Sequence, residues 1–303
     1  MTQRTVDTWV VLGLGCALGT AIADVLTKQS AGGRDLHAAI LTRTLLPALL
    51  LLPLLFWLGW PQIEAEAAIW LALAWPLEVL ALNWYIDAVR CGVLARTLPF
   101  LALTPAISFL AAFLLLGERL SQATAAGVLL VVGGCYLAYR GESKRVEGPL
   151  PTEAAGAMDE SDRRSRSRAI RLMAGVAAIY ALTPVLAKAA MRGGNPFAFG
   201  IFYYAAVAGL SAVAILLRKP RAWCALRELR RVDWAIGVCI AVVVLMHYAA
   251  LQLAAVPAFL ALKRLSIVFA AVLGALVLHE VRGWAFWAPS LLAVAGAGLI
   301  VVR

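Results

Sequence analysis

Two adjacent basic residues, Lys263 and Arg264, lie inside the apolar stretch 257–280, which is long enough to cross a bilayer as one helix. At the rise of an α-helix they would lie roughly 9 Å beyond Pro257. A charge in the membrane costs about 2.5–3.5 kcal/mol, so it usually faces a partner or a watery cavity. The pair therefore predicts a site that attracts a phosphate or a carboxylate. The alternative is that both side chains extend to the nearer interface.

Small residues in the same stretch indicate which face the pair occupies. Ser266, Ala270 and Gly274 recur every four residues, and Lys263 falls on their face, whereas Arg264 is turned by about 100°. A stripe of small residues lets another helix or a cavity approach closely. We therefore predict one continuous helix whose tightly packed or cavity-lining face ends in the basic pair.

Glu78 is the acidic residue best placed for chemistry, because it lies in the middle of an apolar stretch just after Pro76. A carboxylate there is a candidate for proton or cation binding. It is equally a candidate counter-ion for Arg43, Lys263 or Arg264, and a position at the lipid edge is a third interpretation. Pro76 would loosen the helix and free backbone carbonyls, as suits a binding helix.

Aromatic and hydrogen-bonding residues cluster in two further apolar stretches and are typical of a small-molecule cavity. The candidates are Asn83, Trp84, Tyr85, Tyr204, His247 and Tyr248, with Arg43 as a further basic candidate. The alternative for the aromatic residues is a belt at the membrane interface. The sequence shows no metal-ligand spacing and no phosphate-binding glycine loop, so it predicts no metal, no cofactor and no catalytic residue.

The composition excludes a soluble protein, because 63% of the 303 residues are hydrophobic. The net charge of +10 does not indicate nucleic-acid binding, since Lys and Arg lie mainly between the apolar runs, where they orient membrane helices. The sequence predicts an all-α polytopic membrane protein. No cleavable signal peptide is evident, so residues 9–28 are expected to form part of the first span.

Ten transmembrane spans are predicted, with a long polar connection after the fifth. They cover approximately residues 8–28, 37–58, 67–87, 94–116, 122–140, 169–190, 197–218, 233–253, 257–279 and 283–302. Residues 141–168 are charged and contain two prolines, which predicts a flexible linker. The linker separates two five-helix domains, 1–140 and 169–303.

The two halves resemble each other in sequence. When residues 101–137 are aligned with 263–299, Glu118 meets Glu280, and a second small-residue stripe that starts at Thr104 meets the stripe that starts at Ser266. Because five spans is an odd number, the copies must cross the membrane in opposite directions, with a site expected near the midplane. Leu101 and Ala102 stand opposite the basic pair, so the fold itself does not require cations there.

The distribution of Lys and Arg predicts the orientation. Most lie in the odd-numbered connections, including 141–168, which are therefore predicted to be cytoplasmic, with both termini outside.

These motifs resemble the drug/metabolite transporter superfamily in its ten-helix EamA form, over nearly the whole chain. The resemblance rests on Leu103, Thr104 and Pro105, on the Gly-Glu motif of residues 117–118, and on its counterpart at 279–280. It implies a secondary transporter rather than an enzyme, and the family usually has both termini in the cytoplasm, contrary to the charge count. The superfamily's substrates include amino acids, drugs, quaternary amines, nucleotide sugars and sugar phosphates.

A narrower resemblance concerns the basic pair. Members that exchange phosphorylated metabolites in organelles carry a Lys-Arg on the corresponding helix, where it helps to hold the substrate phosphate, and a tyrosine late in the preceding helix. Residues 263–266 (KRLS) and Tyr248 are similar in sequence and placement.

The expected function is alternating-access transport of a small anionic, phosphorylated or carboxylated metabolite across a bacterial inner membrane. Lys263 and Arg264 would bind the anion, His247, Tyr248 and Tyr85 would orient the solute, and protons or a counter-substrate would drive transport. The alternatives are an exporter of aromatic amino acids or cationic amphiphiles that uses Glu78, and a membrane-embedded transferase for lipid-linked substrates. The expected partners are the solute and lipids, not nucleic acid, for a monomer or a homodimer.

Overall fold

The computed structural model describes residues 3–30, 36–91, 99–147, 160–191, 194–227, 229–277 and 284–301. These residues form helices and short connections, and none of them belongs to a β-strand. The α-helices are α1 (Gln3–Ser30), α2 (Leu36–Leu58), α3 (Ala65–Cys91), α4 (Pro99–Ala102), α5 (Thr104–Leu116), α6 (Gln122–Glu147), α7 (Glu160–Ala190), α8 (Pro196–Arg218), α9 (Arg231–Leu253), α10 (Val256–Lys263), α11 (Ser266–Val277) and α12 (Trp284–Val301). A 3₁₀ helix, Pro220–Arg227, lies between α8 and α9.

Seven segments of the described chain are long and apolar enough to span a membrane, and one of them runs from α10 into α11. Shorter apolar helices, Thr104–Leu116, Gln122–Leu137 and Ser290–Val301, lie at the fourth, fifth and tenth predicted spans. The prediction of an all-α polytopic membrane protein is confirmed.

Helix packing in the first half mirrors that in the second. The counterparts are α1 and α7, α2 and α8, α3 and α9, α4–α5 and α10–α11, and α6 and α12. Thus α1 packs against α9 while α7 packs against α3, and α1 contacts α10 and α11 while α7 contacts α4 and α5. The remaining large contacts join α2 to α8 and α6 to α12, each to its own counterpart. This exchange symmetry is the pattern expected of two related five-helix repeats.

The fourth and ninth spans are both interrupted, at positions that the repeat alignment makes equivalent. The first break is at Leu103, where Pro105 supplies no backbone N–H to the carbonyl of Leu101. The second is at Arg264 and Leu265, where backbone bonds shorten to three residues, as in the bond from the Leu265 N–H to the Leu262 carbonyl. The prediction of one continuous helix over this span was therefore wrong, and the basic pair lies at the break.

The predicted linker is helical at both ends. Residues 141–147 continue α6 and residues 160–168 begin α7, while 148–159 lie outside the described residues. The helical ends are rich in Arg, Glu and Lys, which have high helix propensity, and this explains why a charged segment extends the helices.

Glycines bring α6 and α12 into backbone contact. A Cβ atom at Gly296 would lie 2.7 Å from the backbone oxygen of Gly127 and 2.7 Å from the backbone nitrogen of Val131. Only a residue without a side chain permits this separation, which is how membrane helices pack closely.

Candidate functional site

A cavity of about 500 Å³ lies between the two halves; we call it the central cavity. Seven of the predicted site residues line it: Arg43, Glu78, Tyr85, Tyr204, His247, Tyr248 and Lys263. They come from α2, α3, α8, α9 and α10. The lining residues on α1, α2 and α3 lie towards one end of the bundle, the end at which α1 ends and α2 begins. The cavity therefore extends from the middle of the bundle towards that end.

Lys263 is the last residue of α10, and its side chain reaches the cavity beside α9. Its Nζ atom lies 3.1 Å from His247 Nδ1, so an ammonium at Lys263 donates to this ring nitrogen. Edge-on contacts with Tyr248 and Phe259 hold the imidazole in place. Among the described residues Lys263 forms no ion pair. The remaining donor capacity of the ammonium is therefore directed at whatever occupies the cavity.

Arg264 does not line the central cavity. Its guanidinium donates to the Thr104 hydroxyl across 2.7 Å, and its backbone carbonyl accepts a long contact from the Cys135 thiol at 3.8 Å. Thr104 begins α5 immediately after the first helix break. Arg264 therefore connects the two interrupted spans, and the structure separates the roles of two neighbours that the sequence treats as a pair.

Arg43 enters the cavity already neutralised. Its guanidinium pairs with Asp24 at 2.5 Å and donates to the Thr27 hydroxyl at 3.1 Å. The Tyr204 hydroxyl donates to the Arg43 backbone carbonyl across 3.3 Å. Arg43 is therefore not the counter-ion of Glu78.

Glu78 faces the cavity from α3 and has no ion-pair partner in the described part of the chain. Lys263 lies within its electrostatic reach without contacting it. The cavity therefore presents one positive and one negative group that are not satisfied by each other.

Tyrosines form much of the remaining wall. Besides Tyr85, Tyr204 and Tyr248, the wall includes Tyr203 and Tyr180. Tyr203 and Tyr248 are in contact, with ring centroids 5.5 Å apart, and a Cβ at Gly200 would lie 2.5 Å from a carbon of the Tyr248 ring. Tyr180 is not among the site residues predicted from the sequence, although the alignment of the two halves could have indicated it. The first spans of the two halves also align, with residues 25–28 (VLTK) against 185–188 (VLAK), and this places Tyr180 opposite Thr20, which also lines the cavity.

Asn83 and Trp84 lie on α3 but not in the cavity wall. The Asn83 side-chain amide donates to the Val79 carbonyl at 2.7 Å, and the Trp84 ring fills the space above Gly175 on α7. The Asn83 bond therefore lies within α3, whereas Trp84 packs between α3 and α7.

At the end of the bundle opposite the one towards which the cavity extends, four residues connect the two halves, and we call them the Glu118 cluster: Glu118, Lys188, Ala254 and Val256. Lys188 Nζ donates to Glu118 Oε1 at 2.7 Å and also to the Ala254 carbonyl. The Val256 N–H donates to Glu118 Oε2 at 2.8 Å. The cluster joins the end of α5 in the first half to α7, α9 and α10 in the second.

A comparison with protein families identifies the first half. Residues 7–140 match the EamA-like transporter family, which is part of the drug/metabolite transporter superfamily. The first half of the chain is therefore similar to the EamA-like transporter family. This agrees with the resemblance inferred from the motifs, and together with the long apolar helices it indicates a multi-pass membrane protein.

Known structures support the fold of this EamA-like protein beyond the matched half. One crystal structure, whose description names no particular protein, is similar to this chain with a TM-score of 0.70 and 16% sequence identity. The alignment covers 97% of this chain and 98% of the other chain. At that identity the likeness concerns the fold alone. No curated protein matches the sequence.

Proposed function

We propose that this EamA-like protein is a secondary transporter that works by alternating access. Its solute is a small anionic metabolite that carries a phosphate or a carboxylate group. The observation that supports the proposal is the Lys263 ammonium, which faces a 500 Å³ cavity between the halves and has no ion-pair partner in the described chain. A charge at this depth is expected to meet an opposite charge, and an anionic solute supplies it.

The cavity suits one small molecule. Its volume falls within the roughly 300–1,000 Å³ of typical small-molecule sites. His247 holds the Lys263 ammonium in place, and the rings of Tyr85, Tyr204 and Tyr248 offer apolar faces with hydroxyl groups at their edges. In this proposal the anion binds Lys263, and the rest of the solute lies among the tyrosines. Arg264 serves to couple the interrupted helices instead of binding the anion.

Access to the site would alternate between the two ends of the bundle. The cavity extends towards the end of α1, whereas the Glu118 cluster and a bond from the Gln252 amide to the Gly194 carbonyl close the opposite end. Release on that side would require the Glu118 cluster to separate. Location in a bacterial inner membrane, with residues 141–168 in the cytoplasm, remains part of the proposal and would make the cavity face inward.

A second candidate is export of cationic amphiphiles or aromatic amino acids. Glu78 favours it, because this carboxylate faces a tyrosine-lined cavity without a cation bound to it in the described residues. Cations bind well to aromatic faces. The two candidates differ in which charged residue the solute needs.

Thermal unfolding of the purified protein with phosphorylated metabolites, carboxylates and quaternary amines tests both candidates, since a ligand of the folded state raises Tm. We expect an anionic ligand to stabilise the wild type and Arg264→Met, and to have no effect on Lys263→Met. Arg221→Met removes an exposed charge in the 3₁₀ helix and is the control. Stabilisation of Lys263→Met equal to that of the wild type would refute the anion site. A response to amines that Glu78→Gln loses would favour the second candidate.

A further inference from the structure

We propose that Glu78 forms part of a Na⁺ site beside the solute cavity, with the Thr183 hydroxyl and the Tyr180 backbone carbonyl as further ligands. The role of Na⁺ as a coupling ion rests on the proposed transport function. The binding of Na⁺ at this site does not. The site lies between α3, which carries Glu78, and α7, which carries Tyr180 and Thr183.

The first argument is the charge of Glu78. A carboxylate inside a membrane bundle requires a compensating charge. Arg43 is occupied by Asp24, and Lys263 contacts His247 instead of Glu78. In the described part of the structure, neither basic side chain therefore contacts Glu78. The carboxylate nevertheless faces a cavity that an ion can enter.

The second argument is the Thr183 hydroxyl, which is buried and has no hydrogen-bond partner, with the residue 1% exposed. It lies near the Glu78 carboxylate and acts on it. A buried hydroxyl without a partner costs about 1–3 kcal/mol. A hydroxyl and a carboxylate in the same place offer two hard oxygen ligands to one ion.

The third argument is Pro184, which lies inside α7. Proline has no backbone N–H, so the carbonyl four residues earlier, that of Tyr180, lacks its helical donor. Carbonyls freed within interrupted membrane helices are the groups that coordinate Na⁺ at the midplane of transporters. Tyr180 also lines the cavity, and α7 packs against α3, the helix that carries Glu78.

The ligand types select a monovalent cation. The proposed site offers one carboxylate, one hydroxyl and one carbonyl, and all are hard oxygen ligands. A group of three or more His, Cys, Asp or Glu would favour a divalent or transition metal. The described residues contain no such group. The positive charge of Lys263 within electrostatic reach of Glu78 further disfavours a divalent ion.

The test is thermal unfolding of the full-length protein in detergent, with NaCl replacing choline chloride at constant ionic strength. We expect the Tm of the wild type to rise with the logarithm of Na⁺ concentration, as ligand linkage requires. Glu78→Gln should abolish the rise, Thr183→Val should weaken the apparent Na⁺ affinity at least tenfold, and Thr183→Ser should restore it. Ser211→Ala is the matched control, because Ser211 on α8 also has a buried hydroxyl without a partner but is not among the groups that act on Glu78.

Three outcomes would overturn the Na⁺ site: equal Tm in Na⁺ and choline, a full Na⁺ response in Thr183→Val, or a Tm that depends on Glu78 through pH or through a quaternary amine but not through Na⁺. Solute binding is measured in the same samples with Lys263→Met. If the Lys263-dependent shift persists without a Na⁺ response, only the ion site fails. If Na⁺ stabilises the protein and no anion does, the ion site stands and the proposed anion transport fails.

Discussion

Substituting Lys188 by Met tests whether the Glu118 cluster holds one end of the bundle closed. The change would leave the Glu118 carboxylate with only the Val256 N–H and would remove the donor to the Ala254 carbonyl. Removing one partner of a fully buried ion pair costs about 3–5 kcal/mol. Here the Lys188 and Glu118 side chains are 20% and 14% exposed, and one hydrogen bond to the carboxylate survives. We therefore expect a loss of about 2–3 kcal/mol, or roughly 4–8 °C in Tm.

The assay is thermal unfolding of the purified protein for Lys188→Met, Glu118→Gln and the double variant. Because the two side chains interact directly, the double variant should lose less than the sum of the single losses, by about 1–2 kcal/mol. The control is the pair between Arg218 and Asp87, which are 53% and 31% exposed and 3.8 Å apart. Arg218→Met should change stability by less than about 1 kcal/mol, as exposed pairs do. Additive losses in the double variant, or an equal loss in Arg218→Met, would refute the reasoning.

Further predictions concern close packing and the helix breaks. Gly296→Ala should destabilise the protein by about 1–3 kcal/mol, because its Cβ would meet the backbone of α6, whereas Gly298→Ala meets nothing within 4 Å and should be neutral or stabilising in the same unfolding assay. Gly200→Ala should displace the ring of Tyr248 and weaken solute binding, as measured by titration. An affinity equal to that of the wild type would contradict this prediction. Thr104→Val should lower Tm by an amount corresponding to about 1–3 kcal/mol, because it removes the acceptor of a buried guanidinium bond; an unchanged Tm would contradict this.

The sequence was sufficient to predict the helical membrane fold and seven residues of the cavity wall, for one physical reason. Polar residues in membrane helices are costly at the lipid surface, so those found in the middle of apolar stretches face inward together. This places Glu78, His247 and Lys263 around one cavity without any knowledge of the fold. The repeat alignment likewise matched Leu103 with Leu265, and both lie at helix breaks.

The direction of individual side chains could not be predicted in the same way. Asn83, Trp84 and Tyr85 are consecutive, and neighbours on a helix differ by about 100°, so three of them cannot all face one cavity. The choice of partner also depends on which helices meet. Asp24 pairs with Arg43 on α2, and Thr183 is recognisable as a site residue only when α7 is seen beside Glu78.

The positions of the charged contacts bear on how the halves could move. At the centre, Arg264 bonds Thr104 between the two interrupted helices, and at one end the Glu118 cluster joins the same halves. Rocking about the centre would preserve the first contact and separate the second. If separation costs the 2–3 kcal/mol expected for the cluster, the open form holds about 1–3% of the population, within the range of minor states that ligands readily select. A cluster several kcal/mol stronger would prevent release at that end, and a much weaker one would leave the cavity open at both ends. In the proposed alternating-access cycle, the partial exposure of Glu118 and Lys188 would keep the cluster weak enough for both states to be populated.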